Sequence, residues 1–172
     1  MNQFVYNYNT SNASDGISEG LKLIYNTKYP VIICVGSDLA VGDTLGPLIG
    51  SILKDKLQGK AYVYGSLECP ITAKEINVIY NTAKLLHPKS KLLVIDAAVG
   101  DKNDVGRIKL SDYGIKPGKG IQKDLALIGD VSIIGIISDK NNSKYTIFNE
   151  TRFSLVKKIS DVIVDGILKY FR

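Results

Sequence analysis

Val31-Ile32-Ile33-Cys34-Val35-Gly36, followed by Ser37-Asp38-Leu39-Ala40-Val41-Gly42-Asp43-Thr44-Leu45-Gly46-Pro47, decides the fold. The apolar run opens after Pro30, closes at Gly36 and shows no polar alternation, which predicts a central strand buried on both faces. Two acids, two glycines and then a helical pattern come directly after it. In open α/β sheets ligands and chemistry gather outside the carboxyl ends of the strands, where helices begin. Asp43 is thereby placed at the mouth of a crevice.

A second run answers the first. Lys91-Leu92-Leu93-Val94-Ile95 has the same buried character and ends in Asp96-Ala97-Ala98-Val99-Gly100. If the two strands are parallel neighbours, Asp43 and Asp96 converge, and a carboxyl pair can divide acid and base work between its members.

The composition bounds what the rest can be. A chain of 172 residues with 45% hydrophobic and 23% charged residues has the make-up of one ordinary folded domain. Its net charge of +5, from 22 Lys and Arg against 17 Asp and Glu, is diffuse. With no basic block interleaved with aromatics, nucleic acid is not an expected partner. No apolar run is long enough to span a bilayer and no signal-peptide pattern opens the chain, so no membrane is expected and the cytoplasm is the expected compartment. Cys34 and Cys69 form neither a CxxC nor a Cys/His ligand spacing, and no motif calls for a cofactor or a metal.

Taken in order, residues 1–14 are rich in Asn, Tyr and Ser without a usable period and are expected as a flexible tail, with residues 15–172 as a single domain. Ile17, Leu21 and Ile24 predict a helix that Ser14 or Asp15 can cap. Leu45, Leu48, Ile49, Ile52, Leu53 and Leu57 predict a second helix lying on the sheet, with Pro47 in its first turn. Ala61 to Gly65 reads as a strand. Pro70 and Thr72 open a third helix that His87-Pro88 ends. Val105 to Leu110 alternates apolar and polar residues, as a half-exposed strand antiparallel to its neighbours does. Gly114 to Gly120 is a glycine-rich loop matching neither a Walker A nor a GxGxxG pattern. Val131 to Ile137 is a further buried strand, Tyr145 to Phe148 a short edge strand, and a long helix runs from about Glu150. The expected architecture is a three-layer α/β/α sandwich on a mostly parallel sheet with one antiparallel strand.

Three segments together resemble a known family: Gly36 to Pro47, Val94-Ile95-Asp96-Ala97, and Gly114-Ile115-Lys116-Pro117-Gly118-Lys119-Gly120. From about Tyr29 onward the chain is similar to the YyaC family of sporulation proteins, which is related to the germination protease of spore-forming Firmicutes and, more distantly, to the hydrogenase maturation endopeptidases. The resemblance implies a phosphorylase/hydrolase-like fold, endopeptidase activity and small acid-soluble spore proteins as substrate, in the forespore or mother cell. In the germination protease, aspartates matching Asp43 and Asp96 act as the catalytic pair. In the maturation enzymes the matching acids bind nickel together with a histidine. Here the one histidine, His87, precedes Pro88 at a helix end expected opposite the site.

Each candidate has a plainer role beside the chemical one. Asp43 could simply cap a helix, an interaction worth about 1 kcal/mol, and Asp96 could be a solvated turn acid. As a pair, Asp43 reads as base and Asp96, among apolar neighbours, as acid. Asp38 either orients the pair or binds substrate, or else shapes the turn. Lys116 and Lys119 either hold an acidic substrate residue or belong to a solvated loop. Ser37, Ser66, Thr44 and Cys69 offer nucleophiles, but one distant histidine assembles no triad. The alternatives to an aspartate-pair endopeptidase are a metal-dependent maturation-type endopeptidase and a non-catalytic module that docks a peptide or partner on the same fold. A homo-oligomer is compatible with all three.

Overall fold

The structure, a computed structural model, describes residues 1–116, 127–141 and 151–172. Its six strands are β1 (Gln3–Asn7), β2 (Val31–Cys34), β3 (Tyr62–Tyr64), β4 (Leu92–Gly100), β5 (Arg107–Ser111) and β6 (Val131–Asp139). They form one sheet in the order β1-β5-β6-β4-β2-β3. The four strands β6, β4, β2 and β3 run parallel, whereas β5 is antiparallel to both β6 and β1. One strand thus opposes the others, as the alternation in Val105 to Leu110 predicts. The four helices are α1 (Ala13–Ile24), α2 (Leu45–Lys56), α3 (Ile76–Leu86) and α4 (Phe153–Tyr170). The expected strand over Tyr145 to Phe148 and the expected helix start near Glu150 lie outside the described residues.

Burial follows the sequence pattern. Val31 to Cys34 and Leu92 to Ile95 are fully buried on both faces, because helices cover both sides of the parallel strands. One core packs Ile32, Leu93, Ile95 and Ile133 against Ile17, Leu21, Ile49, Ile159 and Ile163 of α1, α2 and α4. The other face gathers Val31, Ile33, Leu92 and Val94 under Ile76 and Ala83 of α3.

The N-terminal stretch departs from the expected flexible tail. Gln3 to Asn7 pair residue by residue with Ser111 to Arg107 and close the β5 edge. Phe4, Tyr6 and Tyr8 turn inward onto the main core, and the Tyr6 hydroxyl donates to the Gly16 carbonyl at 2.7 Å. The period-2 alternation is carried by aromatics between exposed polar residues, and it outweighs the asparagine content. The helix caps also differ. Asn12, not Ser14 or Asp15, precedes α1, with no side-chain cap bond.

Candidate active site

The site begins where β2 and β4 end. Cys34 lies opposite Ile95 in the parallel ladder, and the Val35 amide donates to the Ile95 carbonyl at 2.8 Å. The next residues along the two strands are Gly36 and Asp96. On the far side of β2, the Gly36 amide donates to the Ile71 carbonyl at 2.9 Å, so the segment leading into α3 walls the crevice.

Asp43 is delivered over this mouth by a single 3-10 turn, Val41–Thr44, immediately before α2. The Ser37 amide donates to the Asp43 carbonyl at 3.1 Å, and the Asp43 amide to the Ala40 carbonyl at 3.0 Å. The turn is seated so closely that a Cβ on Gly36 would lie 2.1 Å from the Asp43 carbonyl oxygen, and Gly36 itself has φ +141°. Glycine is required there on both counts. Asp43 is therefore no side-chain cap of α2: Thr44 occupies the position before that helix, without a side-chain cap bond.

Both carboxyls are half-buried. Burial raises the proton affinity of Asp43, opposed by the Ser37 backbone amide. Asp96 is pushed up to about 8, first by burial and then by the charge of Asp43, against a bond from the Ala97 amide to its Oδ1 at 2.8 Å. Close carboxyls in a poorly hydrated mouth hold one proton between them, and the deeper one keeps it.

The other candidates separate. Asp38 is exposed on the rim of the same loop, next to Leu39, whose amide donates to the Ser37 hydroxyl at 3.2 Å. Lys116 is exposed, but the segment carrying it is anchored at the opposite end of the sheet. There the Tyr113 carbonyl accepts from Ser132 near the start of β6, and Ile115 bridges Ile128. Lys119 lies outside the described residues. His87 sits at the far end too: its Nε2 is 2.8 Å from the Tyr64 hydroxyl, and its ring packs 4.1 Å from that of Tyr62, whose strand position faces Val31 at the start of β2.

The hydroxyls and thiols serve other ends. Thr44 donates to the Val41 carbonyl, Ser66 is buried and accepts from Lys54 and the Cys69 amide, and burial pushes the Cys34 thiol up to about 12. A nickel site made from these acids plus an imidazole does not fit this chain, because its histidine is held by tyrosines across the sheet. Among the described residues no group of three or more His, Cys, Asp or Glu side chains is placed to hold a metal ion.

Residues 5–166 match the model of a family described as "Protein of unknown function (DUF1256)". The chain belongs to this family. It is 35% identical over 137 residues to the uncharacterized protein YyaC of Bacillus subtilis, covering 80% of this chain and 67% of that one. The resemblance read from Gly36 to Pro47 and Val94 to Ala97 is therefore met. Among solved structures the chain resembles the NiFe hydrogenase maturation protease HycI of Thermococcus kodakarensis, with a TM-score of 0.60, 14% identity, and coverage of 91% of this chain and 98% of that one. At that identity the likeness is one of fold, and the fold of this DUF1256 chain is peptidase-like. No helix among the described residues is long and apolar enough to cross a membrane.

Proposed function

We propose that this DUF1256 chain is an endopeptidase of sporulating cells that hydrolyses peptide bonds with Asp43 and Asp96, acting in the cytoplasm on small acid-soluble spore proteins. The observation that supports this most directly is the division of proton affinity between two carboxyls at adjacent strand ends, with the deeper Asp96 holding its proton under the influence of Asp43. A base and an acid are thus available together at neutral pH.

The chemistry follows from those two states. Ionised Asp43 takes a proton from a water, whose oxygen bonds to the scissile carbonyl carbon. Protonated Asp96 gives its proton to the departing nitrogen as the carbon–nitrogen bond breaks. Transfer of the proton now on Asp43 to Asp96 restores the pair. Asp38 and Leu39 on the rim contact the incoming chain in this reading.

The test is cleavage of purified small acid-soluble spore protein by the wild-type chain, by Asp43→Asn and by Asp96→Asn, with and without chelator. Each substitution is expected to lower the rate by about 10²–10⁴-fold, and chelator to leave it unchanged. A folded wild type that cleaves nothing would refute the reading and leave a docking module on the same fold.

A further inference from the structure

A second cleft opens along the same carboxyl edge of the sheet, beyond the end of β6. It encloses about 660 Å³ between Ser138 and Asp139 of β6, Lys102 of the link after β4, and Arg152 and Lys158 at the start of α4. Nearby carboxylates are already engaged. Asp101 pairs with Lys140 at 2.7 Å, and Asp104 with Arg107 and Lys109 at 3.0 and 3.2 Å. Lys102, Arg152 and Lys158 form no ion pair among the described residues and meet only Asp139, whose Oδ1 accepts from the Asn141 amide. The cleft thus carries an uncompensated positive charge in a concave place, where field lines concentrate.

Its position relative to the aspartates is set by α4. Ile159 of α4 and Leu45, two residues after Asp43, both pack over Gly135 of β6, whose neighbour Ile134 faces Asp96 across the ladder. From Ile159 back to Arg152 is about 10 Å along the helix axis. An extended peptide covers that length in about three residues.

We infer that this cleft is an anion subsite that takes a carboxylate side chain of an acidic polypeptide, about three residues from the bond presented to Asp43 and Asp96. This rests on the endopeptidase reading for the register of the carboxylate. The binding itself is independent of catalysis. An acidic chain anchored at Arg152 and Lys158 lies along the strand ends toward the aspartate mouth.

The experiment is fluorescence anisotropy of the full chain with a labelled ten-residue Glu/Ala peptide. A matched Gln/Ala peptide and inorganic phosphate as competitor provide the other arms. The Glu peptide is expected to bind, more weakly as salt rises. The Arg152→Gln/Lys158→Gln double variant, folded by circular dichroism, should bind it about fivefold to tenfold more weakly, since each exposed charge contributes modestly. The control Lys28→Gln/Lys60→Gln removes two exposed cations elsewhere and should bind as the wild type does. Equal loss in both double variants, or no loss in the first, overturns the subsite. Equal binding of the Gln peptide, or full competition by millimolar phosphate, overturns its assignment to an acidic polypeptide. Asp43→Asn separates the two readings: retained binding without cleavage refutes neither. Cleavage of spore protein that depends on both aspartates but not on Arg152 or Lys158 refutes the subsite alone.

Discussion

The charge of Asp43 raises the proton affinity of Asp96 across the mouth between β2 and β4, on top of the larger effect of burial. Removing that charge leaves burial in place. Asp43→Asn is therefore expected to lower the Asp96 pKa from about 8 while leaving it above the ordinary 3.8 of an aspartate. Carboxyl-carbon NMR titration of the variant against the wild type reads both values. An unmoved Asp96 would show that the two groups do not sense each other.

The same pair predicts a bell-shaped pH dependence of kcat/KM. The acid limb follows ionisation of Asp43, which burial shifts upward from its usual value, and the basic limb follows loss of the Asp96 proton near 8. Because the protons belong to the coupled pair, the limbs report its macroscopic steps. Activity that holds level to pH 10 would remove Asp96 as the acid.

Much of this arrangement is legible in the sequence, and the parts that are not have identifiable causes. Uninterrupted runs such as Val31 to Val35 and Leu92 to Ile95 announce parallel strands because nothing else buries so many consecutive apolar side chains. A ligand mouth at their carboxyl ends then follows from topology. The pairing of Asp43 with Asp96 depends on β2 and β4 being neighbours, which the adjacent Cys34 and Ile95 establish only in three dimensions. The N-terminal strand was hidden by its asparagines, although Phe4, Tyr6 and Tyr8 alternate plainly. Lys102, Arg152 and Lys158 carry no local signal at all, since the fold alone gathers cations so distant in sequence. Lys116 misled for the opposite reason: its glycine-rich surroundings suggest a binding loop, while Tyr113 and Ile115 anchor it far from the strand ends.

Stability should carry the cost of Asp96. Its folded pKa is raised, so between about 4 and 8 the native chain binds a proton that the unfolded chain has released, and stability falls as pH rises through that window. Asp96→Asn removes the titration. The variant should match the wild type near pH 4 and exceed it by on the order of 1–3 kcal/mol above pH 8, a partly exposed carboxyl giving less than full burial would. Urea unfolding at both pH values measures the gap, and a variant less stable than wild type at pH 8 would contradict the assignment.

Deleting residues 1–9 strips β1 from β5 and uncovers the row of backbone groups from Arg107 to Ser111 that now pair with Gln3 to Asn7. Phe4, Tyr6 and Tyr8 also leave the core. An unpaired edge over exposed apolar surface recruits other chains. Light scattering should show concentration-dependent self-association of the truncated chain, and a truncated chain that stays as dispersed as wild type would show β1 to be dispensable.

The seat of Asp43 depends on how closely α2 approaches β2. A Cβ on Gly46 would stand 1.9 Å from the Val35 carbonyl oxygen, which is backbone and cannot swing aside. Gly46→Ala must therefore push the start of α2 and its preceding turn off the strand. The loss is expected to be at least about 3 kcal/mol, at the severe end of single substitutions. Gly59→Ala is the comparison. Gly59 has φ +74° with nothing near its missing Cβ, so alanine meets only backbone strain of about 1–2 kcal/mol. Urea unfolding of both variants separates steric displacement from strain. If Gly46→Ala proves no worse than Gly59→Ala, the close seating of the Asp43 turn against β2 is wrong. If it is worse yet still folds, the Asp43 turn has moved, and the Asp96 pKa should fall toward the value seen in Asp43→Asn.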